Sequence, residues 1–251
     1  DQFRFGARSD GTDIMSHPPY IGIEIGGTKL QIVTGSGQGD ISSRHRFLVD
    51  RAKGGAGIRA QIASILPDLV NTTAFGGIGV GFGGPVDWRT GQIALSHHIE
   101  GWTDFPLGTW LTELANGLPT RVDNDANVAC LAEASLGAGR EANPVFYVTL
   151  GSGVGGGLVI DGSVVHGSGT TEYEIGHLRL DRSGNIVENS CSGWAVNQKI
   201  REGVKRQPDS LLAELTAESS NDEAKHLRTA LDADDNLARK ILTHTADDLA
   251  F

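Results

Sequence analysis

The first hydrophobic pattern along the chain is a pair of short apolar runs around a glycine turn. Tyr20 to Ile25 predicts a strand, and Lys29 to Thr34 predicts a second one. The turn Gly26-Gly27 joins them, so this segment predicts a hairpin. Further strands are predicted at 78–82, 120–122 and 145–150, and a last hairpin is predicted at 158–165.

Helices are predicted where apolar residues recur at spacings of three and four. The segment from Ile58 to Val70 has this period and predicts one amphipathic helix. Similar patterns occupy 107–114, 128–136 and the chain from Trp194 onward, in which 208–235 is charged and predicts solvated helices. Strands return after helices in both halves, which is the pattern of an α/β protein.

Composition and charge narrow the class of protein. The chain has 251 residues, 39% of them hydrophobic and 21% charged, which is typical of a globular protein with one or two domains. A net charge of -10 argues against a nucleic-acid partner, and the lack of a long apolar run argues against a membrane partner. The two cysteines, Cys130 and Cys191, lack metal or disulfide spacing and predict a reducing cytoplasm. The 35 glycines are the outlier, at about twice the usual share.

The patterns at the two ends of the chain predict where the native protein starts and whether it continues. Residues 1–16 are polar and without period, so we expect a leader that is vector-derived or disordered, with Met15 as the native start. The chain ends at Phe251 inside a helical pattern without a stop signal, so we expect a native C-terminal segment beyond it.

Two glycine turns are candidate phosphate loops. Residues 151–157 contain the letters GxGxxG, but a strand rather than a helix is predicted to follow, which argues against a dinucleotide site. Successive N–H groups in such a turn can still bind an anion, and a tight hairpin without a ligand is the alternative. In the first hairpin Glu24 precedes Gly26-Gly27-Thr28-Lys29, a set that suits phosphate oxygens and hydrated Mg²⁺. A charged residue on an ordinary hairpin is the alternative there.

Five strings in a fixed order carry a family resemblance: IGIEIGGTK, GVGFGGPVD, DNDANVACLAE, YVTLGSGVGGGLVIDG and EYEIGH. Together they resemble the ROK family of sugar kinases, which includes glucokinase-like, fructokinase-like and N-acylhexosamine kinase-like members, over residues 20–202. The resemblance implies an α/β, actin-like and hexokinase-like ATPase fold of the ribonuclease H type. It implies two domains, 17–124 and 125–251, with the active site in the cleft between them.

The resemblance also implies a reaction and its residues. It implies ATP-dependent phosphorylation of a hexose or N-acylhexosamine hydroxyl by a homodimer, with ATP and Mg²⁺ as the other small molecules. Asp125 matches the general base, and a helix cap is the alternative for it. The implied sugar contacts are Gly83, Gly84, Asn124, Glu174, His177 and Glu188. The implied phosphate contacts are Gly26, Gly27, Thr28, Lys29, Gly151, Ser152 and Gly153, with Glu24 holding Mg²⁺ through water.

Two departures from the family pattern concern a metal and the sugar. His177 matches a residue that often ligates a structural zinc, but the cysteine-bearing loop is missing, so we expect no zinc site and no metal role for Cys191. A buried core histidine is the alternative for His177. His97 and His98 stand where many relatives have Pro-Asn, so the identity of the sugar is not predicted. A surface loop is an equally compatible interpretation of the two histidines.

A second class of function uses the same fold without turnover. A sugar-binding sensor or regulator is compatible with these motifs. The chain before Tyr20 is too short for a helix-turn-helix, which argues against a DNA-binding version. Asp125 and both glycine loops are intact, which favours the kinase.

Overall fold

The computed structural model describes residues 18–94, 99–167 and 174–251. The strands in these ranges are β1 Tyr20–Ile25, β2 Lys29–Gly35, β3 Ile41–Leu48, β4 Gly77–Phe82, β5 Val86–Asp87, β6 Gln92–Ile93, β7 Thr120–Asn124, β8 Val145–Leu150, β9 Val154–Ile160 and β10 Ser163–Val164. The α-helices are α1 Gly54–Ala63, α2 Leu66–Val70, α3 Leu107–Leu114, α4 Asp125–Ser135, α5 Val187–Cys191, α6 Gly193–Arg206, α7 Leu211–Leu215, α8 Leu227–Asp232 and α9 Asn236–Ala250. Short 3₁₀ helices lie at Arg51–Lys53, Ile175–His177 and Glu223–His226. Of the helices in the described ranges, none has the length and apolar character needed to cross a membrane.

The chain forms two compact units. Among the described residues, unit 1 contains 18–147 and 157–167, and unit 2 contains 148–156 and 174–251. The chain thus leaves unit 1 along β8, turns, and returns along β9. The domains predicted from the sequence instead meet at residues 124 and 125, inside unit 1, and that boundary stays a prediction.

A five-stranded sheet organises unit 1, with the strand order β3-β2-β1-β4-β7. The strands β1, β4 and β7 run parallel, whereas β2 is antiparallel to both of its neighbours. The predicted first hairpin is confirmed. Ile21, Ile23 and Ile25 of β1 are buried on one face of the sheet, because successive side chains along a strand point to opposite faces.

Two helices occupy the segment in which one was predicted. α1 ends at Ala63, and α2 begins at Leu66 with Pro67 in its first turn. Proline is tolerated in a first turn but would remove a hydrogen bond from the middle of a longer helix. Ile58 and Ile62 are nevertheless buried in the core of unit 1, so the predicted apolar face is confirmed while the single helix is wrong.

The other face of the sheet is covered by α4. A Cβ added to Gly81 of β4 would lie 3.5 Å from Asp125 Cα and 3.7 Å from Val128 Cβ. The first turn of α4 therefore lies directly on the sheet over Gly81. This contact places Asp125 above β4.

The hydrophobic pattern does not predict β3. Each of its eight residues is exposed or half-buried, and its polar side chains are typical of an edge strand. Main-chain pairing with β2 holds it in place, together with the hydroxyls of Thr34 and Ser43, which lie 2.8 Å apart. A strand held by its backbone leaves no apolar alternation in the sequence.

Helices form most of unit 2. Its main core contains Ile200 of α6, Leu212 of α7, Ala230 of α8 and Leu237 of α9. The segment 208–235 was predicted to form solvated helices, but it contributes two of these buried residues. The prediction was wrong on this point because one buried residue per short helix produces only a weak period.

An ion pair between Arg201 and Glu223 stabilises unit 2. Arg201 NH1 lies 2.9 Å from Glu223 Oε2, and the Glu223 side chain is 4% exposed. Burial raises the pKa of the Glu223 carboxyl, but backbone hydrogen bonds and Arg201 outweigh burial and leave that pKa below its ordinary value. The charged form is therefore the stable one in the folded chain.

Arg201→Met is expected to lower the free energy of unfolding by about 2 kcal/mol at neutral pH, because Glu223 would lose its charged donor. Since the folded-state pKa of Glu223 lies below the unfolded value, this loss should shrink as the pH falls through the folded pKa. Arg228→Met is the matched control, because the Arg228–Asp232 pair is 84% and 62% exposed and should contribute under about 0.5 kcal/mol. Urea denaturation measures both, and equal losses would contradict a role for the burial of Glu223.

Candidate functional site

Three of the predicted motifs meet at one edge of the sheet in unit 1. The register pairs Ile25 of β1 with Phe82 of β4, and Phe82 with Asn124 of β7. These residues end three neighbouring parallel strands. The first phosphate loop (residues 26–29), the predicted sugar loop (residues 83–87) and Asp125 therefore follow side by side. Ligands of open α/β sheets bind at the carboxyl ends of such strands.

Gly83 lies between the first phosphate loop and Asp125. Its N–H donates to Ile25 O at 2.9 Å. A Cβ at this position would lie 3.4 Å from both Ile25 O and Asp125 Oδ2, and 3.7 Å from Gly26 Cα. Glycine therefore keeps the space beside the Asp125 carboxylate open. The structure brings the predicted Gly26, Gly83 and Asp125 together.

Asn124 ends β7 and caps α4. Its Oδ1 accepts from the N–H groups of Ala126 at 2.9 Å and Asn127 at 3.4 Å, which satisfies the first turn of the helix. Its Nδ2 donates to Gly84 O at 3.2 Å. Asn124 thus joins the predicted sugar loop to α4, and its own role as a sugar contact stays a prediction.

Asp125 is the first residue of α4, and it is exposed. Its Oδ1 accepts from the Ala126 N–H at 2.9 Å. The alternative in which Asp125 serves only as the helix cap is wrong, because Asn124 occupies the cap position. An exposed carboxylate at a strand-to-helix corner can accept a proton from a bound hydroxyl.

The backbone of the first phosphate loop is fixed, while its polar side chains face solvent. Gly26 N–H donates to Lys29 O at 3.0 Å, and Arg51 Nε donates to Gly27 O at 3.2 Å. Thr28 and Lys29 are exposed. A hydroxyl, an amine and ordered N–H groups are the donors that phosphate oxygens accept.

Glu24 lies on the same face of the sheet as Asp125. Its register partner on β4 is Gly81, which places no side chain between them, and Gly81 lies directly under Asp125. The Glu24 side chain is exposed, and Gln31 Nε2 donates to its Oε2 at 3.3 Å. Carboxylate oxygens are the protein ligands that Mg²⁺ takes, usually with several waters retained, so Glu24 fits a hydrated magnesium ion.

The second predicted phosphate loop, residues 151–153, follows β8 in unit 2. Gly151 N–H donates to Gly153 O at 3.0 Å, and Gly193 N–H donates to Gly151 O at 2.8 Å. Ser152 at its tip is exposed. β9 begins at Val154, inside the glycine run, so the prediction that a strand rather than a helix follows this turn is confirmed. A dinucleotide fingerprint requires a helix there.

Glu188 lies against this second loop. Its Oε2 accepts from the Val154 N–H at 2.8 Å, and a Cβ on Gly153 would lie 2.5 Å from the same oxygen. A Cβ on Gly176 would lie 2.5 Å from Val154 O. Unit 2 therefore brings together Glu188, the second loop and the 3₁₀ helix that ends at His177. The role of Glu188 as a sugar contact stays a prediction.

The predicted Glu174 and His177 begin and end this turn of unit 2. Glu174 occupies the cap position, and His177 is exposed, so the alternative of a buried core histidine is wrong.

Cys191 is buried, its Sγ donates to Thr245 O at 3.5 Å, and burial raises the pKa of its thiol. Within the described ranges, no group of three or more His, Cys, Asp and Glu side chains could hold a metal ion. The absence of a structural zinc stays a prediction.

The predicted pair His97 and His98 lies outside the described residues. The chain that follows is held on α1: Gly55 N–H donates to Glu100 O at 2.7 Å, and Arg59 NH1 donates to Gly101 O at 2.8 Å. The contribution of the two histidines to sugar choice stays a prediction.

Two polar residues of the site were missed in the sequence. Asp123 Oδ2 lies 2.7 Å from His166 Nε2, although 43 positions separate the two residues. Asp123 belongs to the same string as Asp125, and His166 follows β10. The only signal in the sequence is that each residue stands beside a motif. That position does not indicate that the two side chains contact each other.

Comparisons with known proteins place these motifs in one family. The model of the ROK family matches residues 20–251. A glucokinase of Halalkalibacterium halodurans is 34% identical over 94% of this chain and 76% of its own length. A ROK family glucokinase of Streptomyces griseus, solved with glucose and AMPPNP, has a TM-score of 0.78 and 26% identity, over 92% of this chain and 76% of that one. A ROK family transcriptional regulator, a homologue of the E. coli MLC protein, has a TM-score of 0.77 and 21% identity, over 92% and 60%.

The solved relatives confirm the fold class predicted from the sequence. ROK sugar kinases have a two-domain hexokinase-like ATPase fold, and this mixed α/β chain matches it. The regulator has the same fold, but its 21% identity is too low to indicate the activity of this chain. Since the family model spans nearly all of the sequence and agrees with the motifs at the strand ends, the chain belongs to the ROK family.

Proposed function

We propose that the chain transfers the γ-phosphoryl group of ATP to a hydroxyl of a hexose or an N-acylhexosamine. The meeting of Gly26, Gly83 and Asp125 at the ends of three parallel strands carries this proposal. Phosphoryl transfer requires donors for the phosphates and a carboxylate beside the attacking hydroxyl, and this edge offers both. The glucokinase relatives support the same class of reaction.

Asp125 is the general base in this proposal. Its carboxylate accepts the proton of the sugar hydroxyl while that oxygen attacks the γ-phosphorus, and the bond to the oxygen that bridges to the β-phosphate breaks. General-base catalysis of this kind contributes about 10² to 10⁴ in rate. Gly83, Gly84 and Asn124 hold the sugar, and the hydrogen bond from Asn124 to Gly84 O keeps the loop in register with α4.

The two glycine loops hold the phosphates. Gly26 and Gly27 allow close approach of the phosphates, and the Gly27 N–H, the Thr28 hydroxyl and the Lys29 amine bind phosphate oxygens, as do residues 151–153 of the second loop. Glu24 holds Mg²⁺ through water, and a bound magnesium ion neutralises charge on the transferring phosphoryl group. The carboxylate of Glu24 is exposed, which supports this role.

The family resemblance assigns three further sugar contacts, Glu174, His177 and Glu188. The exposure of His177 supports this assignment, because an imidazole buried in a core could not reach a ligand. A cytoplasmic homodimer is part of the same proposal.

A second candidate function is a sugar sensor without turnover. Membership of the ROK family favours it, because that family also contains transcriptional regulators. A sensor needs no base and no phosphate loops, whereas this chain keeps an exposed Asp125 and both glycine loops. The kinase is therefore the better-supported function.

A turnover assay distinguishes the two functions. The chain should release ADP from ATP in the presence of at least one sugar in a panel of glucose, mannose, fructose, N-acetylglucosamine and N-acetylmannosamine. Calorimetry with each sugar and with AMPPNP gives the second readout. Sugar binding without AMPPNP binding and without ADP release would establish the sensor, and the absence of sugar binding would overturn both functions.

A further inference from the structure

The carboxylate of Asp123 organises the corner that carries Asp125. Its Oδ1 accepts from the Asn124 N–H at 2.7 Å and from Asn127 Nδ2 at 3.0 Å. Its Oδ2 lies 2.7 Å from His166 Nε2, and the side chains of this pair are only 21% and 13% exposed. One carboxylate thus fixes both the end of β7 and the first turn of α4.

His166 also touches the segment after the sugar loop. Its ring stacks on Trp88 with centroids 4.1 Å apart and an interplanar angle of 16°. Trp88 follows directly on the predicted sugar loop, residues 83–87. His166 therefore contacts both of the segments that flank the proposed sugar site in unit 1.

We propose that His166 is a positioning residue for the sugar. Its hydrogen bond to Asp123 and its stack on Trp88 hold the Asp125 corner and the sugar loop at a fixed distance from each other. This inference rests on the proposed function, because it assumes that a sugar binds between these two segments. A displacement of about 1 Å at such a site can lower a rate by about 10², so a residue that fixes the spacing matters without touching the substrate.

ATP binding at the first phosphate loop should not depend on His166. That loop is held by its own hydrogen bonds, from the Gly26 N–H to Lys29 O and from Arg51 Nε to Gly27 O, and neither involves His166. Loss of His166 should therefore change the KM for sugar and leave the KM for ATP unchanged. A general loss of folding would instead lower the apparent kcat, because less enzyme would be active, and would leave both KM values unchanged.

His166→Ala is expected to raise the KM for sugar about tenfold and to lower kcat, with an unchanged KM for ATP. His166→Gln should recover most of the loss, because its amide nitrogen can donate to Asp123 Oδ2 from a similar place as Nε2. His244→Ala is the control, since that side chain is 69% exposed. An equal rise in both KM values, or a glutamine variant no better than alanine, would overturn the inference.

A second readout separates this inference from the proposed function. Hydrogen exchange at the Asn124 amide, which donates to Asp123, should be faster in His166→Ala than in the parent and unchanged in His244→Ala. If the parent phosphorylates no sugar, the proposed function fails, and exchange together with calorimetric sugar affinity decides the role of His166. Unchanged exchange or unchanged sugar affinity in His166→Ala would then overturn it.

Discussion

Asp125→Asn is expected to lower kcat for sugar phosphorylation by about 10² to 10⁴, with KM values within about threefold of the parent. The amide cannot take the proton of the sugar hydroxyl, whereas its size and shape match those of the carboxylate. Its oxygen can still accept from the Ala126 N–H, and Asn124 still caps α4, so the corner should keep its geometry. The coupled release of ADP measures the rate, and thermal unfolding measures the fold.

Asp161→Asn is the matched control for this loss of charge. Asp161 is exposed in the turn between β9 and β10 with a φ of 50°, a conformation that asparagine adopts readily. Asp161→Asn replaces a carboxylate by an amide in the same unit, but at a position outside the sheet edge that carries Asp125. The role of Asp125 as base would be refuted if Asp125→Asn turned over as fast as Asp161→Asn.

The residues of the sheet edge could be predicted because they carry local signals. Apolar alternation marks β1, and the paired glycines that follow it mark a turn. Local signals also mark the ends of the other two strands: Gly83 follows the apolar run of β4, and Asp125 follows β7 at the start of a predicted helix. Parallel strands then bring the three ends together without any further information, since their carboxyl ends lie at one edge.

The features that the sequence did not predict depend on contacts between distant residues. The pairing of Asp123 with His166 spans 43 positions, and that of Glu188 with Val154 spans 34. No period or spacing encodes such a pair, because each partner is fixed by the element on which it lies. For β3 the reason is different: its backbone pairs with β2 while its side chains are mostly polar and none is fully buried, so the apolar period is absent.

Gly193→Ala is expected to lower kcat/KM for ATP by about 10², mainly through a higher KM. A Cβ at Gly193 would lie 2.7 Å from Gly151 O, a distance that real Cβ atoms do not show. Because the obstacle is main chain, the second phosphate loop must move, and with it the N–H groups proposed to bind ATP. Alanine is a better helix former than glycine, so helix propensity in α6 cannot account for a loss.

Gly79→Ala is the matched control, because a Cβ there meets nothing within 4 Å. Both variants make the same change, but only Gly193→Ala crowds the backbone of residues 151–153. Such crowding costs about 1–3 kcal/mol of stability, so both variants should be assayed well below the Tm of the weaker one. If Gly193→Ala and Gly79→Ala had the same KM for ATP, the second loop would not hold phosphate. In that case the first loop, with Thr28 and Lys29, would have to bind the phosphates without it.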